Sequence, residues 1–230
     1  MPSVMDFPLV DVAPKALTAP EESGQGLIRI YDTIAADFLY ADPLKLMVFP
    51  DNHDRPRALA QLDGNVDLLK TDLILMATTR GIPQMFYGTE MLIQGPKERN
   101  DGVLRADMPG GWAGDKVNAF TGAGLSEAQR DMQHLVRTLF NWRKTSSAVK
   151  YGKLTHYIPS DGHYVYFRHD GKQTVMVVLN KNRAATRLDL ARFAGMIKGA
   201  RQGRNVLTGA TVDLRAPLAL PALTSAVIAW

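Results

Sequence analysis

Apolar positions along the chain follow two regimes. Between Val4 and about Ser146, short apolar runs alternate with stretches of helical period; from about Ala148 to Trp230 the period is closer to two. Leu27, Ile30, Tyr31, Ile34 and Phe38 recur at threes and fours, which predicts one apolar stripe on a helix over 25–39. Leu46 to Phe49 is a compact apolar run stopped by Pro50 and reads as a strand. Val66, Leu69, Leu73 and Ala77 share a face of a second helix over 65–78. Gly81 and Pro83 end that helix and open a run from Ile82 to Tyr87, which Gly88 closes. Leu92 to Gly124 is rich in Gly and Asp, has no period, and reads as a functional or disordered loop. Ser126 and Gln129 then form a capping box before a helix reaching about Lys144, with Met132, Leu135, Val136, Leu139 and Phe140 as its buried side.

The second region is strand-like. Residues 164–169 and 174–179 flank Asp170-Gly171 and predict a hairpin, the second run β-branched enough for a covered strand. Asn205 to Leu207, Thr211 to Leu214 and Ala226 to Trp230 supply further short strands. The expected architecture is therefore a βα series packed against a small antiparallel sandwich, with a boundary between Thr145 and Lys150. No internal repeat or low-complexity tract is visible.

Composition narrows the function classes. The 46% apolar content suffices for a core. The net charge of +4 is thinly spread, and the densest basic stretch, Lys198 to Arg204, holds only three positive charges; no nucleic-acid partner is expected. The absence of cysteine excludes disulfides and thiol chemistry. Met1 to Asp11 lacks a secretory pattern, and Leu214 to Trp230 is too short and broken to span a bilayer, so no membrane partner is expected. The compartment stays open between cytoplasm and periplasm.

The densest polar cluster leaves an apolar strand directly: Phe49-Pro50-Asp51-Asn52-His53-Asp54-Arg55. Ligands bind at the carboxyl ends of strands in parallel sheets and barrels. Asp51, His53 and Asp54 have metal-ligand chemistry but are too close in sequence to close a site alone, so an active-site edge, a capped turn and a metal site stand as alternatives. Asp51 and Asp54 also raise glycoside hydrolysis, although two side chains on one turn rarely straddle a sugar ring. Trp112 is the best sugar-stacking candidate, against a role as loop plug. Tyr157, Tyr164, Tyr166 and Phe167 read as sheet packing or as a surface sugar site, and Trp142 as a contact toward the β region.

Four stretches in order carry a family resemblance. Val48-Phe49-Pro50-Asp51-Asn52-His53-Asp54 resembles the fourth conserved region of the α-amylase family, glycoside hydrolase family 13. Met5-Asp6-Phe7-Pro8-Leu9 is similar to the region around that family's sixth barrel strand. Arg80-Gly81-Ile82-Pro83 with Phe86-Tyr87-Gly88-Thr89-Glu90 is similar to the eighth, and Asp107 to Asp115 resembles the following loop in neopullulanases and cyclomaltodextrinases. The resemblance implies a partial (β/α)8 barrel, about strands six to eight, over 1–146 and a C-terminal β-sandwich over 147–230. It implies Asp54 as the third catalytic aspartate, with His53, Asn52, Arg57 and Trp112 as substrate-binding residues, Arg57 chiefly as a charge partner. It implies neither cofactor nor metal.

The family's nucleophilic aspartate and acid/base glutamate, at the ends of its fourth and fifth strands, have no counterpart here. Glu21 and Glu22 precede a helix, and Glu90 suits a rim or structural role. Both missing groups are needed for retaining hydrolysis. The expectation is therefore a part of a retaining α-glucan hydrolase acting on α-1,4 (possibly α-1,6) bonds of maltooligosaccharides, cyclodextrins or pullulan, inactive alone. The alternatives are a non-catalytic oligosaccharide-binding or assembly fragment, and an unrelated metal-dependent α/β protein. Exposed barrel edges imply self-association or pairing with an N-terminal half.

Overall fold

The computed structural model describes residues 3–230. The chain enters through β1 (Val4–Met5), and Asp6 at its exit caps α1 (Phe7–Thr18) by accepting the Leu9 N–H at 3.2 Å. The hydrophobic pattern misses α1. Pro8 suits the first turn, which needs no N–H, but Pro14 inside the helix argues against one. The helix expected over 25–39 is α2 (Ile28–Ala35) followed by a 3-10 turn at Ala36–Leu39. Leu27, Ile30 and Ile34 are buried as the stripe requires, whereas Phe38 is 82% exposed. The tighter 3-10 winding rotates it off the apolar face.

Next come β2 (Leu46–Val48), the short α3 (Ala58–Gln61), α4 (Val66–Thr78) and β3 (Ile82–Pro83). Val4 pairs with Leu46 and Met47 with Ile82, both in parallel, so β2 is the middle of a three-stranded sheet. This sheet is open: among the described residues no closed barrel is formed. The strand expected over 82–87 stops after Pro83, although the Gln84 N–H still reaches the Val48 carbonyl at 2.8 Å. Gly81 makes the α4–β3 junction possible. Its φ is +95°, and a Cβ there would lie 2.4 Å from the Leu46 carbonyl oxygen.

A single buried face was expected on α4, yet almost every position from Leu68 onward is buried. The helix is a middle layer, with the parallel sheet and α1 on one side and the antiparallel sheet on the other. Thr71 and Ser225 share a hydroxyl hydrogen bond of 2.9 Å, and Thr78 and Tyr166 one of 2.5 Å. The long stretch after β3 holds a 3-10 turn at Thr89–Met91 and a four-residue helix, α5 (Asp101–Leu104). At α6 (Glu127–Thr145) both halves of the capping box form, the Gln129 N–H reaching Ser126 Oγ at 3.2 Å and the Ser126 N–H reaching Gln129 Oε1 at 3.0 Å. α7 (Ser147–Tyr151) follows.

The remaining strands are β4 (Lys153–His156), β5 (His163–His169), β6 (Thr174–Asn180), β7 (Thr186–Leu188), β8 (Gln202–Asn205), β9 (Thr211–Asp213), β10 (Leu218–Leu220) and β11 (Ala226–Ala229), with α8 (Ala194–Ile197) between β7 and β8. Six of them form one antiparallel sheet, ordered β4-β5-β6-β11-β8-β9, while β7 and β10 make a separate ribbon. The predicted hairpin is β5–β6, paired from His163–Asn180 to His169–Thr174. Period two sorts its side chains. Tyr164, Tyr166, Val175 and Val177 join the core shared with α4; Val165, Phe167, Met176 and Val178 face Leu188, Phe193, Ile197 and Leu220. The expected sandwich is thus realised as a six-stranded sheet covered on one face by a small ribbon and α8, and on the other by helices. β8 also starts three residues before the run expected at Asn205.

Buried cations tie the parts together. Arg80, two residues before β3, pairs with Asp6 and takes Asp37 through Nε and Nη2 at 2.7–2.9 Å. Arg168 of β5 donates to the Thr79 carbonyl and, at 2.8 Å, to that of Gly152; burial pushes its pKa down to about 10. Lys181 donates to the Ala16 (2.9 Å) and Ala19 carbonyls, closing the C-terminus of α1 against the antiparallel sheet.

Candidate functional site

Beyond β2 the chain turns through Pro50 into the polar cluster. Asp51 points inward. Its Oδ2 accepts the Ala58 N–H at 2.8 Å, at the start of α3, and its two oxygens accept the Thr89 hydroxyl at 3.0 and 3.2 Å. The exits of β2 and β3 are thereby clamped together. Burial raises its pKa to about 6, against the hydrogen bonds and the Arg57 charge that favour the carboxylate. Asn52 Oδ1 accepts the Asp54 N–H at 2.9 Å, an Asx turn that sends the next side chains outward.

His53 and Asp54 lie on that exposed turn, with His53 Nε2 3.2 Å from Asp54 Oδ2. Asp54 is half-exposed and meets two cations from the long loop: Arg99 Nη2 at 3.1 Å and Arg105 Nη2 at 3.2 Å, both on Oδ1. Arg105 Nε also donates to the His53 carbonyl at 3.0 Å. Asp101 accepts from both arginines, and the Arg99 hydrogen bond holds its carboxyl below the usual range. Sequence reasoning missed Arg99, Asp101 and Arg105, because they sit in the stretch without periodicity. The readable signal was the i, i+4 spacing of Asp101 and Arg105.

Arg57, expected among the substrate-binding residues chiefly as a charge partner, is fully buried. Its guanidinium lies 4.2 Å from the Phe86 ring centre and donates to the Tyr87 carbonyl at 2.5 Å; burial lowers its pKa. It supports the site from beneath. Trp112 is 67% exposed, and its polar bonds stay within its own loop, to Asp107 (2.9 Å) and Asp115 (3.2 Å). Glu21 links Lys181 to the Leu27 N–H, and Glu90 Oε2 is buried without a partner among the described residues.

Asp51 faces the interior while His53 and Asp54 face out, so the three do not converge. Among the described residues no group of three or more His, Asp or Glu side chains is arranged to hold a metal ion. Of the four aromatics considered for a surface sugar face, Tyr164, Tyr166 and Phe167 are fully buried, and Tyr157 is half-buried. No helix among the described residues is long and apolar enough to cross a membrane.

This parallel βα array with its antiparallel β unit superposes on under half of the chain of solved enzymes of the α-amylase and cyclomaltodextrin glucanotransferase kind. An Anoxybacillus α-amylase superposes with a TM-score of 0.76 at 21% identity over 99% of this chain and 46% of its own. The cyclomaltodextrin glucanotransferase CldA, described as having a three-domain ABC distribution, gives 0.69 at 25% identity over 98% and 44%. The cyclo-malto-dextrinase C-terminal domain model matches residues 154–229. A cyclomaltodextrin glucanotransferase of Geobacillus stearothermophilus is 25% identical over 93% of this chain and 28% of its own length; for a cyclomaltodextrinase of Geobacillus thermopakistaniensis the figures are 25%, 82% and 30%. The chain thus matches glycoside hydrolase family 13 sequences and structures of the cyclomaltodextrinase and cyclomaltodextrin glucanotransferase kind. It spans about a third of the length of the curated relatives it matches.

Proposed function

We propose that this chain supplies the C-terminal part of an α-glucan-processing enzyme: about the last three strands of a (β/α)8 barrel over 1–146, and a β domain over 147–230. The observation that carries the reading is the outward His53–Asp54 pair at the carboxyl end of the middle strand of a parallel sheet. In this reading Asp54 accepts hydrogen bonds from sugar hydroxyls beside the scissile bond. Those contacts strengthen as the ring flattens toward an oxocarbenium-like transition state, which lowers the barrier rather than only tightening binding. His53 donates to the same unit, Asn52 holds the turn, and the clamp from Asp51 to Thr89 fixes its height. Trp112 offers an exposed ring face to a further sugar.

Asp54 enters this chemistry already neutralised by Arg99 and Arg105, so it serves as a fixed acceptor. Among the described residues no nucleophile or acid/base partner stands opposite it. The purified chain, incubated with cyclodextrin and pullulan, is expected to release no reducing sugar above a buffer control. Turnover is expected only when a polypeptide bearing the missing carboxylates completes the array. Release of maltose by the chain alone would refute this assignment of the catalytic groups.

A further inference from the structure

Two of the chain's three tryptophans, 88 residues apart in sequence, wall one cleft far along the chain from the turn just described. Trp142 reaches it from the last turns of α6. Trp230 reaches it from the end of β11, where its backbone exchanges hydrogen bonds of 2.8 and 2.9 Å with Thr174. Gln173, Arg204, Val206 and Ala229 complete the lining of a cavity of about 360 Å³. That volume falls within the usual range of small-ligand clefts, about 300–1,000 Å³. Both indoles are only partly buried. The Trp230 ring is steadied by an edge-on contact with Phe167, 6.4 Å between centres, and by the close approach of Gly203, where a Cβ would meet the ring at 3.3 Å.

The polar equipment of this cleft is one-sided. The Ser146 hydroxyl donates to Gln173 Oε1 at 2.6 Å, which orients the amide and leaves its NH₂ group free. The Arg204 side chain is exposed at the cleft, and both indoles are partly exposed beside it. No carboxylate lines the cleft. Two indole rings beside the Gln173 amide NH₂ and the Arg204 guanidinium suit a ligand that has apolar C–H faces and many acceptor oxygens, and a pyranose has both.

We propose that the Trp142–Trp230 cleft is a second carbohydrate-binding site, separate from the β2 exit, that takes one or two pyranose units of a neutral oligosaccharide. Its choice of an α-glucan rests on the function proposed above; its aromatic construction does not. One role such a site has is to hold a long glucan on the molecule, raising its effective concentration at the other site.

The test follows the three indole N–H resonances of the ¹⁵N-labelled chain during titration with maltotriose, assigned through W112F and W142F. The Trp142 and Trp230 resonances are expected to move together, and to move equally in D54A. The same shifts are expected to weaken at least tenfold in apparent affinity in R204E, whose exposed position spares the fold. No movement of Trp142 and Trp230 while Trp112 shifts would overturn this site and leave the first reading standing. Movement with sodium sulfate but not with maltotriose would make the cleft an anion site and also overturn the proposal. Shifts of Trp142 and Trp230 with cellobiose but not maltotriose would keep a sugar site and remove the α-glucan choice.

Discussion

Asp72 stands on α4 against Leu9, Val10, Ala13, Phe49, Leu75 and Met76, and its carboxyl makes no hydrogen bond among the described residues. Burial, with the nearby Asp51 charge second, raises its pKa to about 7. Between about pH 4 and pH 7 the folded chain therefore keeps a proton that the unfolded chain has released. Stability from this group falls as pH rises through that window. The half-buried His156 and the buried His163, whose pKa values are lowered by desolvation, act in the opposite sense, so the informative quantity is a difference. Urea unfolding of D72N and the unaltered chain is expected to differ little near pH 4. The advantage of D72N then grows by at most about 1.4 kcal/mol per pH unit and levels off above pH 7. A difference that does not change with pH would place Asp72 in a far more polar setting. Asp72 was invisible in the sequence because an aspartate on a helix reads as a solvated position. Asp54, by contrast, was legible, because it follows a strand that ends in a run of polar residues.

At the scale of elements, the β1, α2 and β3 termini meet at one buried guanidinium. Replacing Arg80 by Met leaves Asp6 and Asp37 without their cation, in a place where Asp6 is wholly buried. A loss of about 3–5 kcal/mol is expected in chemical denaturation. In the triple variant R80M/D6N/D37N much of that loss is expected to return, since no uncompensated charge remains. If R80M alone costs under 1 kcal/mol, the triad does not hold these termini. The sequence shows Arg80-Gly81 as a helix stop and strand start. It does not show which carboxylates the arginine meets, because those lie 43 and 74 residues away.

The whole molecule exposes both borders of a parallel sheet. β1 and β3 each pair on one side only, and Val4, Phe7 and Ile82 are exposed beside them. Parallel sheets are ordinarily covered on both faces and closed at their margins. Concentration-dependent association is therefore expected in multi-angle light scattering, together with its suppression by I82K, which places a charge on the β3 border. A well-folded chain that stays strictly monomeric at high concentration would count against association through these edges.

Local chemistry alone settled a good deal. The capping box at Ser126, the Asp170-Gly171 hairpin, the period-two strands β5 and β6 and the turn carrying His53 and Asp54 each depend on neighbours within a few residues, and such interactions are written in spacing. Three outcomes needed distant parts of the chain to meet. α1 persists despite Pro14 because it is clamped by Asp6 at one end and by Lys181 at the other. α4 is buried at nearly every position from Leu68 onward because two sheets close on it. Asp54 is held by Arg99 and Arg105, some fifty residues onward, because the unperiodic loop folds back over the β2 exit. Burial and charge pairing at that range arise from packing, which no local pattern of residues encodes.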